Sequence, residues 1–164
     1  MLRFGFYLLL AGALAASAAV TTVLWLYLPQ LPDVETLREV RLQVPLRIYT
    51  ADGELMAEYG EKRRAPVAIE AVPDRVVNAF LAAEDDKFYS HPGVDLMALT
   101  RAVIELARTG EKRQGGSTIT MQVARNFFLT RDRTYERKLK EILLALKIER
   151  ALSKDEILEL YLNE

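Results

Sequence analysis

Cysteine is absent from this 164-residue sequence and histidine occurs once, at His91. Without cysteine there is no disulfide scaffold, and with no second imidazole the composition speaks against a zinc site. The missing cysteines leave the redox compartment open. Neither sign of charge dominates, since 22 Lys+Arg stand against 23 Asp+Glu. That balance removes the global polycation on which nucleic-acid binding relies, so no nucleic-acid partner is expected. Repeats and low-complexity tracts are also lacking, and a hydrophobic content of 51% excludes intrinsic disorder. None of the four serines (Ser17, Ser90, Ser117, Ser153) begins a Ser-x-x-Lys sequence, so the acyl-forming nucleophile of penicillin-reactive enzymes is not here. At this length one domain is the prior, with two small ones the limit.

Charge is missing altogether between Phe4 and Leu28. As a helix that run would extend roughly 38 Å, more than the ~30 Å of a bilayer's hydrocarbon core. Trp25 and Tyr27 fall where an interfacial aromatic belt lies, and Pro29 ends the helix. Ala16-Ser17-Ala18 would suit a signal peptidase, but a cleavable apolar region is usually only about 7–15 residues long. Residues 1–28 are therefore expected to be a retained transmembrane signal anchor, with a cleaved signal peptide as the alternative. Arg3 and the amino terminus favour an N-inside orientation, which exports everything after Pro29.

Residues 29–44 read as a linker with at most a short helical turn. Leu46–Thr50 and Glu54–Tyr59 flank Asp52-Gly53, a strong hairpin signal, and alternate as a half-exposed strand pair would. Beyond Pro73 the periodicity turns helical, with Val76, Val77, Phe80 and Leu81 on one face. A second helix follows Asp95, its face made by Leu96, Leu99, Val103 and Leu106. Gly110–Gly116 is a polar loop, after which Ser117 or Thr118 caps a helix running toward Asn126. A longer helix is expected at about Thr134–Leu152, with Leu139, Ile142, Leu143 and Leu146 apolar. Ser153-Lys154-Asp155-Glu156 is a capping box that opens a last helix to Asn163. The exported part is expected to be mainly α with one small hairpin.

Chemistry concentrates in two places. Glu84-Asp85-Asp86 directly follows an apolar helical face, so Glu84 would be tethered to packed structure yet open to a cleft, as a general base needs. A solvated helix end is the competing explanation. His91, before Pro-Gly, has the chemistry of a base or ligand, although a lone histidine in a turn more often bonds backbone. The second place is Gly115–Thr120, where amides and hydroxyls at a helix start make a plausible anion or sugar cradle. An ordinary capped loop has the same sequence, and the Gly-Lys-Ser/Thr ending of a nucleotide loop is missing. Residues 111–150 hold 10 Lys+Arg against 5 Asp+Glu. Arg125, Arg133, Arg137 and Lys138 are placed to converge on phosphate, or else form a solvated charged face. Glu141 lies three residues after Lys138 on the same helical side; with Glu84 it would supply the two carboxylates common in glycosyl chemistry.

Taken together these segments resemble the glycosyltransferase domain of class A penicillin-binding proteins and monofunctional peptidoglycan transglycosylases, glycosyltransferase family 51. Glu84-Asp-Asp-Lys-Phe-Tyr-Ser-His-Pro-Gly93 matches E-D-x-x-F-x-x-H-x-G, and Gly116-Ser-Thr-Ile-Thr-Met-Gln122 matches G-S-T-I-T-x-Q. Arg137-Lys-Leu-Lys-Glu141 with Ala145 and Glu149 matches R-K-x-x-E-x-x-x-A-x-x-x-E. Lys154 through Asn163 matches K-x-x-I-L-E-x-Y-L-N. The departures are Met121, where many members have Gln, and Arg125, where many have Lys. Arg125 keeps the charge, and Gln122 is left to carry the amide role.

The resemblance implies a lysozyme-like helical domain over residues 45–164 that polymerises lipid II outside the bacterial cytoplasmic membrane with inversion. The growing glycan chain, on undecaprenyl pyrophosphate, would be the donor. By motif, Glu84 would be the general base, and Glu141 would act at the pyrophosphate or metal side. Arg125, Arg133 and Lys138 would hold the pyrophosphate, with Ser117, Thr118, Gln122 and Asn126 lining the donor site. Asp85 and His91 would shape the site. Family members often use a divalent cation, Mg²⁺ or Mn²⁺, with no organic cofactor, and are blocked by moenomycin. Cell-wall synthesis proteins are expected partners beside lipid II and the membrane. The family domain continues past the fourth motif, so residues 45–164 are expected to be C-terminally incomplete. Two alternatives stay open at this point: an exported glycan hydrolase or lytic transglycosylase, and a non-catalytic anchored module binding glycan or divisome partners.

Overall fold

An apolar run with no breaker before Pro29 folds as one helix. In the computed structural model, which describes residues 2–39, 45–60, 65–111, 115–130, 132 and 134–164, α1 spans Leu2–Tyr27. Pro29 sits in a 3-10 turn at Leu28–Gln30 just beyond it. Gly5–Gln30, with a mean hydropathy of 1.9, is long and apolar enough to cross a membrane, a test that a signal sequence also passes. Residues 1–32 form one compact unit and residues 33–164 a second.

Residues 33–39, inside the stretch expected as a linker, belong to the second unit. They make a 3-10 turn at Glu35–Glu39, and Arg38 donates to the Ala151 carbonyl at 2.5 Å. The hairpin forms where Asp52-Gly53 predicts it, from β1 (Leu46–Tyr49) and β2 (Leu55–Tyr59). Gly53 takes φ +87°, a conformation that costs glycine little. Arg47 pairs with Glu58 across the strands at 2.9 Å. The expected half-exposure is met only at Ala57 and Glu58 of β2, because all four residues of β1 are exposed. Among the described residues no third layer packs broadly against this two-stranded ribbon, so it has little face to bury.

The rest is helical: α2 (Asp74–Glu84), α3 (Leu96–Thr109), α4 (Ile119–Phe128), α5 (Tyr135–Ala151) and α6 (Lys154–Asn163). Pro73 stands at the N-cap of α2. Asp95, Thr118 and Thr134 each accept a backbone N–H as N-caps, and Ser153 with Glu156 completes the capping box. The core is the packing of α4, α5 and α6 on one another. Ile119, Ala124, Leu144, Ile148, Ile157 and Leu158 are fully buried there. Around α5 the buried residues are Glu141, Leu143, Leu144, Ala145 and Ile148, whereas Leu139, Ile142 and Leu146 of the expected face are half-buried. Neighbours on two sides, α4 and α6, turn a single stripe into a broad one. In α3 the half-buried face runs through Leu99, Ala102 and Leu106; Leu96 and Val103 are 71% and 58% exposed. Gly116 selects that face, since a Cβ there would stand 3.3 Å from Leu99 Cα.

One glycine fixes the approach of a loop to α5. Gly93 has φ +88°, and a Cβ would fall 2.7 Å from Glu149 Cγ and 2.9 Å from the Ala145 carbonyl oxygen. Gly93→Ala meets both backbone strain and overlap, so a loss of about 2 kcal/mol or more is expected. Thermal unfolding checks it, with an unchanged midpoint as the contrary result.

Candidate active site

Three consecutive carboxylates leave α2 in three different environments. Glu84 is the last residue of α2 and is exposed; Asp85 is buried and Asp86 exposed. Of the three, Asp85 is the one that packs inward. The Glu84 carboxylate accepts from Gln122 Nε2 at 2.8 Å, which ties it to the middle of α4. Asp85 turns inward, where its carboxylate accepts from the Ile119 N–H at 3.0 Å in the first turn of α4. A carboxylate at a helix N-terminus meets both an orphan N–H and the positive end of the dipole. His91 Nε2 lies 2.9 Å from the same carboxylate. Because His91 Nδ1 accepts from the Gly93 N–H at 3.1 Å, Nε2 is the nitrogen that carries hydrogen, and His91 donates to Asp85. Both of its nitrogens are used, so His91 anchors the loop and has no free lone pair with which to act as a base.

The second carboxylate sits in the opposite setting. Glu141 is 2% exposed on α5 and is paired with Arg137 one turn earlier. Its Oε2 accepts from Lys138 Nζ at 2.9 Å, and the same ammonium donates to Ser117 Oγ at 2.6 Å. Lys138 thus joins α5 to the residue that precedes the α4 cap. Burial pushes its ammonium down to about 8, with repulsion from Arg137 and then Arg125 adding to the effect. Burial here outweighs the carboxylate that Lys138 touches. Beside this group lies a cleft of about 520 Å³, one wall made by Leu99, Ala102 and Leu106 of α3 and the other by Ser117, Arg137 and Lys138.

Other expected site residues are distributed differently. Thr118 is 3% exposed; its hydroxyl donates to the Gly93 carbonyl at 2.6 Å and accepts from the Met121 N–H at 3.2 Å. It is the α4 cap, and only Ser117 of the pair turns to the cationic cluster. Asn126 is exposed, accepting from Arg125 Nε at 3.1 Å and donating to Glu164. Arg133 lies outside the described residues. Met121 packs with Val94 and Ala145 in the core beneath the site, which explains an apolar residue there. No group of three or more His, Asp or Glu suited to a metal occurs among the described residues.

Tyr161 was not singled out by sequence. From α6 it packs edge-on against Phe80, 6.2 Å between ring centroids, one turn before Glu84. Burial, and then the Glu84 carboxylate, raise its phenol above the ordinary value. The signal was present, since Tyr161 belongs to a quoted motif, but its spacing on α6 does not reveal that it faces α2.

An exposed carboxylate held by an amide, and a buried one set among cations beside a half-apolar cleft, are the two acidic positions of this helical domain. The transglycosylase family model matches residues 52–164, and the chain belongs to that family. It is 58% identical over 136 residues, 83% of this chain and 16% of the relative, to penicillin-binding protein 1A of Escherichia coli (strain K12). The protein of the same name from Pseudomonas aeruginosa is 55% identical over 141 residues, 85% of this chain and 17% of the relative. That of Neisseria gonorrhoeae is 45% identical over 163 residues, covering 99% of this chain. The chain spans 16% to 20% of the length of these relatives.

Proposed function

We propose that this domain is a peptidoglycan glycosyltransferase that polymerises lipid II into β-1,4-linked glycan strands with inversion. It works at the outer face of the bacterial cytoplasmic membrane, with α1 as a single-pass anchor. Glu84 takes the proton from the 4-hydroxyl of the acceptor GlcNAc as that oxygen attacks the anomeric carbon of the growing chain. The bond from that carbon to undecaprenyl pyrophosphate breaks, and the charge released is met by Lys138, Arg125 and Arg133. Gln122 holds Glu84 toward the acceptor, and Glu141 holds Arg137 and Lys138 toward the donor. Ser117 and Asn126 line the donor site.

The observation that carries this proposal is Lys138, bridging Ser117 and Glu141 with Arg137 beside it at the edge of the cleft. A hydrolase leaving a neutral sugar hydroxyl has no use for that cationic cluster, whereas a pyrophosphate leaving group does. A divalent cation, Mg²⁺ or Mn²⁺, would meet Glu141 here, already paired with Arg137 and Lys138. It would rest mainly on the substrate's phosphates. Labelled lipid II given to the full-length protein in membranes tests the proposal: polymeric glycan is expected. Cleavage of existing strands would make the domain a hydrolase, and binding without turnover would make it a non-catalytic module.

A further inference from the structure

Lys154 opens α6 on the far side of the loop that begins at Glu84. Its ammonium donates to Glu149 Oε1 at 2.7 Å and to the His91 carbonyl at 2.8 Å. It also stands 4.3 Å from the centroid of the buried Phe88 ring, within cation–π range. Glu149 Oε1 accepts a second bond, from Thr120 Oγ1 of α4 at 2.6 Å. One cation therefore ties the loop to the corner between α5 and α6, and its carboxylate partner extends the tie to α4. None of these groups lines the cleft beside Lys138.

The loop they hold is the one on which the base depends. His91 gives its carbonyl to Lys154 and, through its ring, donates to Asp85, the residue directly after Glu84. We propose that Lys154 is a positioning residue for glycosyl transfer. It fixes residues 85–93 against the α5–α6 corner, so that Asp85 and His91 keep the end of α2, and with it Glu84, aimed at the acceptor hydroxyl. This rests on Glu84 acting as the base. Misplacing a reacting group by about 1 Å can cost about a hundredfold in rate, so the loss belongs in kcat and not in substrate binding.

Lys154→Met keeps the stem over Phe88 and removes the ammonium, but it strands the Glu149 carboxylate and lowers stability as well. Adding Glu149→Gln removes that stranded charge and separates the two effects. In the full-length protein in membranes, Lys154→Met is expected to lower kcat at least about tenfold, with KM for lipid II changed less than about threefold. The double variant is expected to recover the melting temperature without recovering kcat, and Lys154→Arg, which retains a cation and donors, to recover most of both. Return of kcat together with Tm in the double variant would overturn the proposal, as would a loss carried by KM. If Lys154→Met does not fold, the double variant and Lys154→Arg decide the matter by the same readings. Glu84→Gln measured alongside isolates the underlying assumption. An active Glu84→Gln overturns the base assignment, whereas an inactive one beside a fully active Lys154→Met overturns the positioning role alone.

Discussion

Glu84→Gln is expected to lower lipid II polymerisation at least about 10³-fold while leaving the fold untouched. The size follows from the chemistry. In the proposed reaction the acceptor is a sugar hydroxyl, a weak nucleophile unless its proton is taken as the new bond forms, and an amide cannot take it. The intact fold follows from the geometry. Glu84 is exposed at the end of α2, where it accepts the 2.8 Å bond from Gln122 Nε2. The carbonyl oxygen of the introduced glutamine can accept that same bond. Exposed substitutions of this kind usually shift stability by no more than about 0.5 kcal/mol. Asp85, which does carry structure through Ile119 and His91, is untouched. Initial rates on labelled lipid II, with the melting temperature as control, decide it. Activity above about one percent of wild type would remove Glu84 from the role of base.

Much of this arrangement was legible because local chemistry dictates it. Asp52-Gly53 sets the hairpin and Ser153 with Glu156 sets the start of α6, each through bonds closed within a few residues. Four motifs in order were enough to point to the family. What sequence could not settle is where adjacent, chemically similar residues diverge. Ser117 and Thr118 read alike as caps, yet Thr118 takes the cap and Ser117 faces Lys138, because backbone angles at that joint decide which hydroxyl points back into the helix. Glu84 and Asp85 read alike as an acidic helix end, yet one is exposed and the other buried against α4. The face of α3 was misjudged at Leu96 and Val103 because its neighbour is a glycine, Gly116, that leaves no side-chain pattern to match. The tie from Lys154 to His91 joins residues 63 positions apart, and no periodicity reports such a contact.

Lys138→Met is expected to cut kcat/KM for lipid II by about 10²-fold, and the pH dependence of the wild type identifies the cause. With its ammonium pushed down to about 8, Lys138 is cationic at neutral pH and loses its charge within the range that assays reach. The free enzyme governs kcat/KM, so that quantity should be level below pH 8 and fall above it, toward tenfold per unit. The doubly anionic donor of the proposed reaction would raise the ammonium again once bound, so the fall in kcat itself should come later. Lys138→Arg, always charged, should remain level across the same range. Stability runs the other way. Because the folded ammonium lies below its ordinary 10.5, the unfolded chain holds more protons between about 8 and 10.5, and stability rises with pH across that window. Lys138→Met should lack that rise. A falling limb that persists unchanged in Lys138→Arg would assign the titration to another group and leave the donor's charge without its central cation.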